Sequence, residues 1–362
     1  GVYWAIDQIK VRSKKVITSW YQEFLAGAEI VVNDVTIKKG SADDKVLINK
    51  EEVDLKVSLI SDDNAEIAED GLYFIGAGLN VTYKNSQNKN KVLINDSPTG
   101  EKPVVTCTNT ITLNGTSLIC KNVALKLNEN ATYRFLTINT NNAPYVAFDG
   151  CNLEVPSTAT QNAFCYASTA VAINSFTLHK SKIKIDKSTE YNIISVGKDN
   201  FVNFNSISVE NTIFYGNNAS TFKLFGVNNG NTTNAGIGSL VLRNTTFLNM
   251  HYAGYGIVNG DISTMIVKNN IIYADNNNNN VTVFRKRGNS SASLQATDGE
   301  VADNIGYIIG DFYLNLWQGD TPPLENAEKI QKLDASPFES LDKSTGTYVL
   351  KPEYQGYGAT IE

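Results

Sequence analysis

Residues 206–216 read SISVENTIFYG and residues 239–249 read SLVLRNTTFLN. In each, apolar residues alternate up to a turn residue, Asn211 or Asn244, and resume beyond it in a shifted phase. Alternation with period two marks a strand with one buried face. The shifted phase marks a bend into a second strand. Asparagine suits that bend because it tolerates the left-handed backbone better than other side chains.

The pattern recurs as SLICKNVALKL from residue 117, YVAFDGCNLEV from 145, SFTLHKSKIKI from 175, TMIVKNNIIYA from 264 and a degraded EVADNIGYII from 300. Aligned on the turn residue, the copies place Asn122, Gly150, Lys180, Asn211, Asn244, Asn269 and Asn304 in one column, at steps of 28, 30, 31, 33, 25 and 35 residues. A third apolar stretch follows each bend: RFLTI, AFCYA, NIISV, KLFGV, GIVN and TVFR. Leu136 and Ile138, Phe164 and Tyr166, Ile194 and Val196, and Phe225 and Val227 are its expected inward residues.

Three short strands in a repeat of about 30 residues predict an all-β, single-stranded, right-handed parallel β-helix over residues 101–320. The LxxLxL consensus of leucine-rich repeats is absent, and a sandwich would not keep this stacked register. Asparagine is abundant, 44 in 362 residues. Stacked at one corner, Asn122, Asn211, Asn244, Asn269 and Asn304 are expected to form a coil-to-coil hydrogen-bonded ladder.

Residues 1–100 are less regular. Val16, Ile17, Trp20, Tyr21 and Phe24 share one helical face ahead of Gly27, so a helix over 13–26 is expected to cap the open end of the coils. The strands after it read as irregular first coils, with a separate small domain as the alternative. Residues 321–362 leave the repeat and are expected to pack along or over the C-terminal end.

The net charge of −6, from 31 basic and 37 acidic residues, gives no electrostatic footprint for nucleic acid. No stretch approaches the ~20 apolar residues of a membrane helix. Cys107, Cys120, Cys151 and Cys165 lack metal-ligand spacing and read as small buried hydrophobes. With two histidines, and with Asp149, Asp186, Asp261 and Asp303 in different columns, neither zinc nor calcium is supported, and no cofactor is expected.

The array from ITLNGTSLICKNVALKL through VENTIFYG, LRNTTFLNM and VKNNIIYA to SPFESLDKSTGTYVLKPEYQGYGA resembles the pectate-lyase-like β-helix surface proteins, often lipoproteins, of Gram-negative gut bacteria. The resemblance implies export to the outer surface or periplasm and dealings with polysaccharide. Gly1 in place of methionine reads as a mature or trimmed segment from which any signal or lipid anchor has been removed. A monomer is expected. The NTD, GHG and RIK motifs of polygalacturonases are absent.

Two places could hold a ligand. Arg285, Lys286 and Arg287 are consecutive cations at the end of a third strand, near Asp261, Asn259 and Asn228 on preceding coils. Arginine there suits a uronate or sulfate through bidentate contacts; a solvated cluster balanced by acidic neighbours is the plain alternative. Tyr252 and Tyr255 could stack on sugar rings, with His251 as a base, or simply pack on the coil. A lyase would draw on Lys286, Arg287 and His251. His179 reads as a surface turn residue, and Tyr307, Phe312, Tyr313 and Trp317 as a seal on the C-terminal core. Two functions stay open: non-catalytic polysaccharide binding, and a polysaccharide lyase acting on a uronate-containing glycan.

Overall fold

The computed structural model describes residues 17–128, 134–139, 143–158, 163–167, 171–186, 191–196, 202–216, 222–227, 235–249, 262–275, 280–284 and 295–361. The chain winds into a parallel β-helix. A first sheet stacks ten parallel strands, from Lys56–Ile60 to Ala296–Ala302, and a second stacks eleven, from Glu66–Ile67 to Gln331–Lys332. A third holds five, from Ile111–Leu113 to Phe222–Val227. The interior is a continuous apolar column in which aromatic rings stack between coils, as Phe214 does on Phe247 at 5.0 Å. Cys107, Cys120, Cys151 and Cys165 all lie in it, buried and unbridged. In the third sheet Cys165 and Ala167, rather than Tyr166, align with the inward Leu136 and Ile138. Tyr166 turns outward beneath the Arg134 guanidinium, 3.5 Å from its ring centre.

The bend between the first and second sheets is a column of left-handed residues. Asn122, Lys180, Asn211, Asn244 and Asn269 have φ between 48° and 56°, and Gly150 has 65°. The seventh member is Asp303 (φ 53°), not Asn304, because Lys268 pairs with Ala302 and Val267 with Val301. Aspartate takes the left-handed conformation nearly as readily as asparagine, so the apolar alternation through Val301 decides the register.

This shift relocates the expected ladder. The corner asparagines do not bond to one another. Their backbone N–H groups reach the coil ahead, Asn211 to Arg243 O and Asn244 to Lys268 O, both at 3.0 Å. Their side chains face outward. The buried polar ladder lies one residue later, at Ser181, Thr212, Thr245, Asn270 and Asn304, none more than 3% exposed. Asn270 Nδ2 donates to Asn304 Oδ1 and to Leu242 O, both at 2.8 Å, and its Oδ1 accepts from Thr245 N at 3.0 Å. Thr212 Oγ1 donates to Leu178 O at 2.9 Å.

The terminal segments cover outer faces of the coils. The helix spans Trp20–Leu25, capped by the Ser19 hydroxyl, and sets Tyr21 and Phe24 against Phe74 on the side of an early coil. Residues expected as irregular first coils, Ile30–Asp54, instead form a four-stranded antiparallel sheet. Its apolar face packs on Leu72, Phe74, Val92, Ile94, Ile119 and Ala147, the outward side of the first sheet. Asn33 Nδ2 fastens its turn to Phe148 O at 3.0 Å and Thr177 Oγ1 at 2.8 Å.

At the other end, Phe312, Trp317, Leu324 and Ile330 pack against the main core. Tyr307 packs outside it and Tyr313 is largely exposed, so those two do not seal it. The chain then turns back as the hairpin Phe338–Asp342/Thr347–Leu350, which lies on Ile213, Leu248, Ile271, Tyr273 and Ile305 of the second sheet.

Candidate functional site

Arg285, Lys286, Arg287, His251, Tyr252, Tyr255, Asn259, Asp261 and Asn228 all lie outside the described residues. The site that the described residues build is on the outer face of the second sheet and the adjoining corner.

That face has two outward rows. One runs Val104, Ala124, Asn152, Lys182 and Ile213; the other runs Thr106, Lys126, Glu154, Lys184 and Tyr215. Downstream of Tyr215 the rows turn apolar and lie under the C-terminal hairpin. Upstream, no described segment covers them. The hairpin turn rests on the Tyr215 ring: a Cβ on Gly346 (φ 62°) would come within 2.8 Å of it. The result is a polar floor closed at one end by a wall. A cleft of about 230 Å³ opens over Ala124, Lys126, Asn152, Glu154, Lys184 and Tyr215.

Lys184 pairs with Asp186 at 2.8 Å, and that bond raises its pKa. Burial raises the Tyr215 phenol. Both groups therefore keep their protons at neutral pH.

At the adjoining corner a cleft of about 460 Å³ runs over Asn122, Gly150 and Lys180, between the loop at Gly100–Lys102 and the tail at Thr360–Ile361. Lys102 Nζ donates to Asn152 Oδ1 at 3.2 Å, and desolvation lowers its pKa, with Lys182 adding repulsion. Among the described residues no carboxylate pairs with Lys102, Lys180 or Lys182.

Two other constellations carry titratable groups. His179 Nε2 lies 2.7 Å from Ser208 Oγ, which donates to Glu210 Oε1 at 2.9 Å. The hydroxyl proton points at the carboxylate, so the imidazole must donate to the hydroxyl and cannot be its base. Glu210 is also engaged by Arg243 Nε at 2.9 Å. Burial lowers the His179 pKa, which keeps the ring neutral. This is a coil-to-coil brace on a half-buried histidine, not a turn residue. Lys91, brought to about 8 by desolvation, is fully buried above the Tyr83 ring at 3.7 Å, away from any substrate.

Among the described residues no group of acidic, histidine or cysteine side chains could hold a metal ion, and no helix is long and apolar enough to cross a membrane. Comparison with known proteins finds no matching family model, curated protein or solved structure.

Proposed function

We propose that this protein binds an extended polysaccharide across the open outer face of the second sheet, without turning it over. The observation that carries the reading is the uncovered run of polar side chains from Thr106 to Tyr215, set coil by coil and closed by the C-terminal hairpin. Coils repeat about every 4.8 Å, close to the length of one sugar residue, so a chain lying along the stack meets a similar row at each unit. Lys126, Asn152, Glu154 and Lys184 supply donors and acceptors for hydroxyl groups, and Tyr215 an aromatic edge.

Lys184 and Tyr215 are held protonated, which suits them to donate hydrogen bonds to sugar hydroxyl groups rather than to take a proton. The resemblance to exported pectate-lyase-like proteins supports the outer surface or the periplasm of a Gram-negative bacterium as the setting.

Affinity electrophoresis against neutral and uronate-containing polysaccharides tests this. One or more glycans should be retained, and Lys126→Ala with Glu154→Ala should weaken retention about tenfold, a loss of ~1.4 kcal/mol. Unchanged retention in that variant would move the site, and ultraviolet absorbance from unsaturated products would replace binding by lysis.

A further inference from the structure

We propose that the corner cleft over Asn122, Gly150 and Lys180 is a docking groove for an extended, acidic segment of another polypeptide. This surface adjoins the glycan face and shares Lys182 with its outer row, but its floor is Asn122, Gly150 and Lys180, so neither assignment depends on the other.

The downstream half of the same corner already holds a polypeptide, the chain's own tail. Gly358 N donates to Asn269 O at 2.7 Å, then Ala359 N to Thr246 Oγ1 at 3.1 Å. Asn211 then takes Thr360 by both backbone groups: its Oδ1 accepts from Thr360 N at 2.6 Å and its Nδ2 donates to Thr360 O at 3.0 Å. Asn244 Nδ2 holds Gly356 O at 3.2 Å. A left-handed asparagine has its own N–H committed to the next coil, which leaves its amide free to present one donor and one acceptor outward. Those two atoms match the C=O and N–H of one extended residue whatever its side chain.

The tail progresses from the Asn269 coil to the Asn211 coil, and the groove continues past it over Lys180, Gly150 and Asn122. Asn122 has the same backbone conformation as Asn211, φ 52° against 48°. Among the described residues nothing bonds to its amide. Gly150 keeps the floor open there, since a Cβ would stand 2.2 Å from Asn122 Oδ1. From Asn122 to Asn211 is three coil steps, about 14 Å, room for about four extended residues at ~3.3 Å each.

Charge sets the class of partner. Lys102, Lys180 and Lys182 border this stretch without a carboxylate partner among the described residues, in a chain of net charge −6. Nearby lysines of the first sheet are matched, Lys121 by Asp149 and Lys268 by Glu300, as is Lys184 by Asp186 on the second; Lys126 on the second has no carboxylate partner among the described residues. Aspartate or glutamate side chains on the visiting strand would complete the pairing.

The test is fluorescence anisotropy of the folded protein with a fluorescein-labelled (Glu-Thr)4 peptide, its (Lys-Thr)4 counterpart and an acidic tetrasaccharide. The acidic peptide should bind and the basic one should not. Lys102→Ala/Lys180→Ala/Lys182→Ala should weaken binding at least about tenfold, with a smaller salt dependence. Asn122→Ala should weaken it severalfold and leave the salt dependence alone. Both sites are on the surface, so melting should match the parent. Equal affinity in the lysine variant, or binding of the tetrasaccharide with none of the peptide, overturns the proposal. Lys126→Ala with Glu154→Ala, the glycan-face variant, should bind peptide like the parent, which keeps the two results separate.

Discussion

Asn270→Ala is expected to destabilise the fold by about 3 kcal/mol, while Asn211→Ala and Asn244→Ala each cost about 1 kcal/mol or less. Asn270 is 1% exposed and makes four hydrogen bonds to three partners: Thr245 N, Leu242 O and the Asn304 amide oxygen through its side chain, and that same oxygen again through its backbone N–H. Truncation strands a buried N–H and a buried carbonyl at once, and each pays its desolvation without a partner. Asn211 and Asn244 are only half-buried, and the tail groups they hold can turn to water. Urea unfolding of the three variants checks this ordering. If Asn211→Ala or Asn244→Ala costs as much as Asn270→Ala, the buried ladder does not carry the coil-to-coil stability. A second readout separates the roles: proteolysis of the C-terminal tail should quicken in Asn211→Ala and stay unchanged in Asn270→Ala at temperatures where both are folded.

Alkaline lability is the second large effect expected. Burial lifts the Cys107 and Cys151 thiols from 9.0 up to about 12 and pushes Cys120 and Cys165 upward as well. In the unfolded chain these thiols lose their protons near pH 9, while in the folded chain they keep them. Between pH 9 and about 12 the folded state therefore binds more protons, and rising pH favours unfolding. Each thiol contributes about 1.4 kcal/mol per pH unit inside that window, so four contribute about 5 kcal/mol per unit.

Lys91 acts in the opposite sense. Its folded pKa of about 8 lies below the usual 10.5, so it adds up to ~1.4 kcal/mol per unit across that interval. The net loss of about 4 kcal/mol per unit would exhaust an ordinary domain stability of 5–15 kcal/mol within about one to four pH units. Urea midpoints at pH 8, 9, 10 and 11 should fall steeply in the parent. In Cys107→Ala/Cys120→Ala/Cys151→Ala/Cys165→Ala they should flatten between pH 8 and 10, with the fall that remains above pH 10 carried by the Tyr83, Tyr273 and Tyr348 phenols, whose pKa burial also raises. Parallel slopes in the two proteins would show that the thiols do not control alkaline unfolding.

The coil repeat was legible because a parallel stack imposes one requirement on every turn: inward residues at fixed phase on both sides of a left-handed bend. Asn211 and Asn244 with their flanking apolar pairs carry that requirement openly. The ladder lies one residue beyond the asparagine column because asparagine serves two purposes side by side. At Asn269–Asn270 the first supplies backbone conformation and the second a buried amide. In Asp303–Asn304 only the second is asparagine, so aligning on residue type pulled the register off by one.

The candidate face left a signal that could have found it. Four residues after the bend, the coils carry Lys126, Glu154, Lys184 and Tyr215, then Leu248, Tyr273 and Tyr307. An outward position that turns apolar part-way along a β-helix announces a covering segment and marks where the open floor begins. The first sheet repeats the lesson in reverse. Ile119 and Ala147 lie under the N-terminal sheet, and Thr177 and Ser208 follow in the same row. The three charges in a row at Arg285–Arg287 are conspicuous in one dimension. Lys102, Lys180 and Lys182 are scattered over eighty residues and meet only when the coils stack.

By itself the sequence determined the β-helix, its three strands per coil, the left-handed corner and the burial of the four thiols. All of these are local or periodic, repeated often enough that one misread copy does no harm. The tertiary structure alone decided which faces the two terminal segments cover, that Ile30–Asp54 pairs antiparallel instead of coiling, and that the corner asparagines hold a tail instead of one another. The antiparallel pairing is local, but the faces that are covered and the seat of the tail rest on contacts between distant residues, such as Asn33 with Phe148 and Asn211 with Thr360, more than a hundred positions apart. No period records such a contact, so only the folded chain brings it about.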